Sequence, residues 1–292
     1  MLHYWGMAHA IVLKRAGGGS SALELTELPD PVAGPGEAVV AIQAATINPV
    51  DRDAVNRGFG DRMPGDAPWV LGWDLAGIVT AVGEGADPAL IGRRVLGFSQ
   101  WFKGGPGLQR SSVALPLDNL AVVGDAIPAP ELTTFGLNGL TALQALDATG
   151  LESGRSLLVL GAGGAVGRFV TQLAEHRGIT VLRAGRDTSP ADFAAMELDG
   201  LLNASPSDPT SYLEAVRDEG VAISVTTPAD PERGIRSSRV GVKVDRAGLA
   251  TVARLAEEGV LTTTVAAAYP ASEAAAAYDD ETRTGRVVVT FA

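Results

Sequence analysis

The apolar run Leu157-Leu158-Val159-Leu160 stops at Gly161-Ala162-Gly163-Gly164-Ala165-Val166-Gly167, and an amphipathic stretch beginning Arg168-Phe169-Val170 follows it. A buried strand that ends in glycines and opens a helix is the setting in which a chain binds a dinucleotide. Small residues let the backbone approach a pyrophosphate, and the helix start offers unpaired N–H groups and the positive end of its dipole. The spacing is GxxGxxG (161, 164, 167) and misses strict GxGxxG because position 166 is Val. Gly161, Ala162, Gly163, Gly164, Ala165 and Val166 are therefore the candidate phosphate cradle.

The end of the next strand selects the nucleotide. An acid there holds a ribose 2′-OH, whereas Arg accommodates a 2′-phosphate. Here Ile179-Thr180-Val181-Leu182 runs into Arg183-Ala184-Gly185-Arg186, 22 residues beyond Gly161. Two guanidiniums in that place point to NADPH, since Arg suits planar phosphate recognition. Two solvated surface arginines are the alternative, and Asp187 keeps NAD open. Thr226 and Thr227 end a further strand, where ligands gather at the carboxyl edge of an open sheet, so either can line the pocket.

Those residues need a scaffold, and the chain supplies two textures. Residues 1–125 read as β-rich, with strands in 10–13, 37–47, 77–82 and 94–98 separated by Gly and Pro turns, as in a small barrel or sandwich. From 126 a helical pattern over 131–149 leads to strand 156–160 and then to alternating elements. These are helix 166–177, strand 179–182, helix 191–198, strand 201–203, helix 209–217 and strand 221–225. Such a βαβ series predicts a parallel sheet covered by helices. The tail returns through helix 249–258, strand 259–267, helix 272–278 and strand 285–291. The domains are thus expected at 1–125, 126–258 and 259–292, the last rejoining the first. Residues 1–6 read as an extension ahead of a start at Met7.

Composition narrows the chemistry. The 292 residues carry a net charge of −11, which argues against a nucleic-acid surface. There is no Cys and there are three His, which excludes disulfides and thiolate-bound zinc. The opening MLHYWG lacks a charged leader region, and no apolar run reaches the ~18 residues of a membrane span, so a cytoplasmic protein is expected.

Several short motifs accompany the glycine cluster: Asn48-Pro49-Val50-Asp51 with Arg57-Gly58 downstream, Leu71-Gly72-Trp73-Asp74-Leu75-Ala76-Gly77, and Gly92-Arg93-Arg94-Val95-Leu96-Gly97. Gly139-Leu140-Thr141-Ala142 and Gly285-Arg286-Val287-Val288-Val289 follow. Together, over about residues 7–292, the chain resembles the zinc-independent quinone oxidoreductase branch of the medium-chain dehydrogenase/reductases. The resemblance implies an α/β architecture: a GroES-like β domain interrupted by a Rossmann domain with a doubly wound parallel sheet, here shortened. It also implies NADPH in the cleft between the domains, a quinone or enone substrate, no zinc, no nucleic-acid or membrane partner, and a homodimer.

The resemblance further offers Asn48 to hold the nicotinamide or substrate carbonyl, Asp51 by its motif position, and Thr141 at the nicotinamide end. Each has a structural alternative: a turn former before Pro49, a partner of Arg57, and a hydroxyl satisfied by its own helix. Asp74 reads as a carboxylate that holds the fold. Trp69, Trp73, Trp101 and Phe102 either stack on a flat substrate or pack together. Three departures stand out. The segment after Arg186 is short by family standards, with one helix expected where the family has two helices and a strand. Residues 52–59 lack the family's Tyr, and the zinc ligands of the other branch are absent. The expected reaction is hydride transfer to a quinone or α,β-unsaturated carbonyl, with a proton from solvent or a polar residue. An enoyl-thioester reductase and a non-catalytic NADPH-binding sensor are the competing readings.

Overall fold

The computed structural model describes residues 7–60, 63–231, 233–282 and 284–291; the extension expected at residues 1–6 lies outside them. The chain divides into two units, one reaching to Leu137 and resuming over Lys243–Glu257 and from Thr263, the other Asn138–Val242 with Glu258–Thr262.

The first unit begins with β1 (Met7–Leu13), β2 (Leu23–Pro29), β3 (Glu37–Ile47), helix α1 (Pro49–Asn56), β4 (Trp69–Val70) and β5 (Asp74–Val82). Next come β6 (Arg94–Phe98), β7 (Ser112–Pro116), β8 (Leu120–Val123) and the single turn α2 (Ala129–Leu132). β3 is buried along most of its length rather than on alternate residues. It sits mid-sheet, pairing antiparallel with β5 on one edge and with β7 on the other, so its backbone is hydrogen-bonded on both sides. Ile11, Val40, Ile42, Leu75, Val95 and Leu115 fill the core beneath it. The helix expected over 131–149 is interrupted at Thr133-Thr134, where Thr134 Oγ1 donates to the Glu131 carbonyl, and helix α3 (Phe135–Thr149) starts afresh.

The second unit is a parallel sheet. β9 (Ser156–Leu160) feeds helix α4 (Ala165–His176), and β10 (Thr180–Ala184), β11 (Leu198–Asn203), β12 (Val216–Ser224) and β13 (Arg236–Arg239) follow. The strand order is β10-β9-β11-β12-β13 and every pairing is parallel. Leu158, Leu160, Leu201 and Ala222 bury its centre.

Two expected helices are absent. Over 191–198 there is one 3₁₀ turn, Pro190–Asp192, and left-handed backbone at Ala195 and Glu197 then carries the chain into β11. Left-handed backbone at Ala195 and Glu197 cannot continue a right-handed helix, so the turn stops where it starts. Over 209–217 the turns Thr210–Ala215 are 3₁₀, started by Asp208 Oδ1 accepting from Thr210 N at 2.9 Å, and Val216 already belongs to β12. β13, with the sequence Arg-Ser-Ser-Arg, carries no apolar signal and was not expected.

The return runs through helix α5 (Arg246–Glu257), β14 (Val265–Pro270), helix α6 (Ala274–Asp279) and β15 (Arg286–Thr290). α5 packs on β6 and β8, so the chain rejoins the first unit at Lys243, ahead of the 258/259 boundary expected from sequence, and the second unit opens at Asn138 rather than 126. The penultimate strand starts at Val265 instead of 259. β15 pairs antiparallel with β3 and parallel with β14, which closes the seven-stranded order β14-β15-β3-β5-β6-β8 with β7 on β3.

Candidate functional site

β9 ends at Leu160 and the chain turns at Gly161, whose φ of +74° favours glycine. Gly161 N donates to the Ala184 carbonyl at 3.0 Å, which ties the turn to the end of β10, and Gly164 N donates to the Gly161 carbonyl at 2.9 Å. A Cβ on Gly167 would lie 2.2 Å from the Gly161 carbonyl oxygen, so only glycine lets α4 pack this close to the turn. A Cβ on Gly163 would meet nothing within 4 Å. The cradle is thus closed by backbone behind and open in front. The first turn of α4, with Ala165 and Val166, holds no acid and precedes the helical bond from Arg168 N to Gly164 O at 2.9 Å. Its leading N–H groups remain available to an anion.

β10 and β11 flank β9 on opposite sides, so the cradle lies at the topological switch point of the sheet. The loop after β11 meets it there: the Ser205 backbone N stands 3.0 Å from the place a Gly161 Cβ would take. Asn203, the last residue of β11, is completely buried and was not singled out from sequence, where a lone Asn at a strand end reads as a turn former. Thr226 lines the same edge, but its hydroxyl donates to the Ser205 carbonyl, which makes it a brace for the loop. Thr141 is buried on α3.

Arg183 and Arg186 differ in setting. Arg183 Nη2 donates to Glu175 Oε1 of α4 at 2.5 Å, with both side chains well exposed. Arg186 is exposed in the turn after β10, which Thr188 closes by accepting from Gly185 N at 3.0 Å. A cavity of about 230 Å³ lies elsewhere in this unit, near the amino ends of β9, β11 and β12. Arg155, Arg217 and Arg236 there face Asp199, Glu152 and Glu219, so its lining is balanced in charge.

The first unit holds a buried polar cluster. Asn48 is the N-cap of α1: it forms a capping box with Asp51, whose Oδ2 accepts from Asn48 N at 3.0 Å. Asp51 Oδ1 accepts from Gly72 N at 3.1 Å, and Asn48 Nδ2 donates to Asp74 Oδ2 at 3.2 Å. Asp74 also accepts from Thr46 N at 3.1 Å, joining β3, β5 and α1. All three side chains are fully buried. Burial pushes Asp51 up to about 7, with the neighbouring Asp74 adding to the rise and the Asn48 and Gly72 N–H groups opposing it. Burial likewise pushes Asp74 up to about 6, against hydrogen bonds led by that from Asn48. Arg57 pairs with Asp53 at 3.7 Å and not with Asp51. The geometry therefore gives Asn48 and Asp51 capping work in the core. Trp73, Trp101 and Phe102 pack on one another, with Trp101 and Phe102 ring centroids 4.8 Å apart, while Trp69 Nε1 donates to the Pro64 carbonyl at 2.8 Å.

Among the described residues no three or more His, Asp or Glu side chains gather as a metal site, and no helix is long and apolar enough to cross a membrane.

Residues 34–124 match the family model of the alcohol dehydrogenase GroES-like domain. A chloroplast envelope quinone oxidoreductase homolog of Arabidopsis thaliana is 32% identical over 178 residues, which is 58% of this chain and 53% of that protein. The mitochondrial enoyl-acyl-carrier-protein reductase of the same plant is 31% identical over 198 residues, 66% of this chain and 50% of that protein. The chain spans about half the length of the curated relatives it matches. The solved quinone oxidoreductase of Coxiella burnetii shares its fold, with a TM-score of 0.86 over 98% of this chain and 100% of that one at 20% identity.

Residues 34–124 thus carry the alcohol dehydrogenase GroES-like domain, and the chain as a whole is similar to quinone oxidoreductases and an enoyl reductase. The parallel sheet ends at β10 on one side and at β13 on the other. The single helix expected between β10 and β11 is itself reduced to the 3₁₀ turn at Pro190–Asp192.

Proposed function

We propose that this chain is a zinc-independent medium-chain dehydrogenase/reductase, an NADPH-dependent oxidoreductase acting on a quinone or an α,β-unsaturated carbonyl, as a homodimer. The observation that carries the reading is the glycine turn: Gly161 and Gly167 bring helix start and strand end together, and the open face at Gly163 leaves room for a pyrophosphate. A reduced nicotinamide bound there supplies the hydride. The chain then has to orient it, shape the electrostatics and exclude water. Arg183 and Arg186 meet the 2′-phosphate in this reading. The Arg183–Glu175 pair is exposed and worth ~0–1 kcal/mol, so a phosphate dianion can draw the guanidinium away. Asn48 and Asp51 are buried and committed to the α1 cap, so the proton that completes the reduction is assigned to water.

Purified protein is expected to oxidise NADPH when small quinones or enones are added. No turnover across quinones, enones and acyl thioesters, with NADPH bound, would leave a non-catalytic binding protein instead. The enoyl reductase relative supports a second reading, enoyl-thioester reduction, which is selected if acyl thioesters outperform free enones. Replacing Arg183 and Arg186 together by Ala is expected to raise KM for NADPH at least about tenfold, equivalent to ~1.4 kcal/mol, and to leave NADH nearly unchanged. Equal loss with both nucleotides would refute the phosphate role.

A further inference from the structure

We infer that Asn203 is a positioning residue for the nicotinamide nucleotide, its buried carboxamide fixing the loops after β11 and β12 against the glycine turn. The inference rests on the proposed nucleotide binding and names a residue that this binding depends on.

Asn203 ends β11 beside the switch point and is completely buried. Its Oδ1 accepts from Ser205 N at 2.9 Å and from Ser205 Oγ at 2.8 Å. Its Nδ2 donates to the Ser207 carbonyl at 2.9 Å, with longer approaches to Thr226 Oγ1 at 3.4 Å and the Thr227 carbonyl at 3.5 Å. One side chain therefore satisfies polar groups on two loops, and Thr226 closes the ring by donating to the Ser205 carbonyl. A buried network of this kind holds one arrangement because each group would lose its partner if a loop moved. What it holds still is the Ser205 backbone, which lies so close to the Gly161 turn that a methyl group on Gly161 would stand only 3.0 Å from Ser205 N. A shift of that loop presses directly on the turn that the reading assigns to the pyrophosphate. The donors and acceptors also specify Asn: a carboxylate at 203 still accepts from Ser205 but sets its second oxygen against the Ser207 and Thr227 carbonyls.

The test compares wild type with Asn203→Asp, Asn203→Ala and Ser205→Ala. For each protein it reads nucleotide binding by fluorescence titration, KM and kcat for NADPH and NADH, and thermal midpoint. Both Asn203 variants are expected to raise KM about tenfold for NADPH and NADH alike, with kcat at saturation within about twofold of wild type. Ser205→Ala keeps the buried carboxamide and the backbone bond, and is expected to raise KM about threefold, which covers the case in which the Asn203 variants do not fold. Variants that lose thermal stability yet keep wild-type affinity would overturn the inference and leave Asn203 a purely structural residue. A wild type that binds neither nucleotide would instead overturn the proposed function, and this inference with it.

Discussion

Replacing Gly167 by Ala is expected to destabilise the protein by about 3 kcal/mol and to abolish nicotinamide nucleotide binding. The added methyl would lie 2.2 Å from the Gly161 carbonyl oxygen and 2.9 Å from the Ala162 Cα. Both are backbone atoms of the turn that the strand end and α4 hold in place, so neither can swing aside as a flexible side chain would. Relief requires α4 to move away from β9, which uncovers Phe169 and Val170 on the buried face of the helix. Gly163→Ala is the companion. It meets nothing within 4 Å and its backbone is not left-handed, so thermal stability should stay within ~0.5 kcal/mol of wild type. Its methyl nonetheless enters the open front of the cradle, and nucleotide affinity should fall. Loss of binding without loss of stability at 163, and loss of both at 167, separates the two sides of the turn. Chemical denaturation with a nucleotide titration of each variant measures the pair.

Stability is expected to fall as pH rises from about 4 to about 8. Asp51 and Asp74 have an ordinary value of 3.8, and burial pushes them up to about 7 and about 6 in the folded chain. Between those values the folded state holds more protons than the unfolded one. Their stabilising contribution is therefore complete below about pH 4 and is lost as pH climbs through the folded values. The Asp51 rise corresponds to at most about 4 kcal/mol. Asp51→Asn should flatten the slope and be less stable than wild type at about pH 5, because an amide can accept from only one of the Asn48 and Gly72 N–H groups. Urea midpoints measured across this range test it; a midpoint that climbs with pH from about 4 to about 8 would show that the charged carboxylates stabilise the cluster instead.

The parts of this molecule that sequence makes legible are those where the backbone itself sets the residue. Gly161 and Gly167 announce the turn because no other side chain fits it, and β3 and β9 announce themselves as apolar runs that only a two-sided burial explains. The helices expected at 191–198 and 209–217 fail for the opposite reason. Their apolar spacing is real, but Phe193 and Leu213 reach the core from 3₁₀ turns, and tertiary packing overrides local preference. β13 is invisible because Arg236-Ser-Ser-Arg239 pairs through backbone alone at a sheet edge. In the site, Arg183 is legible as a cation at the right distance from Gly161, whereas its pairing with Glu175 depends on how α4 lies along β10. Asn203 depends on where two loops arrive, and nothing local in the sequence encodes that. Asn48 and Asp51 carry a motif that attracts a catalytic reading, while their capping of α1 in the core depends on where the Gly72 and Asp74 segment arrives.

The most direct measurement follows the hydride itself. The protein is given NADPH carrying deuterium at the transferable position of the nicotinamide, together with a simple α,β-unsaturated ketone, in ordinary water, and the product is read by mass spectrometry and NMR. Direct hydride transfer from the nicotinamide places one deuterium on the β-carbon and a solvent-derived hydrogen on the α-carbon. A reduced product with no deuterium at the β-carbon, or NADPH that binds tightly while quinones, enones and acyl thioesters all go unreduced, would contradict it.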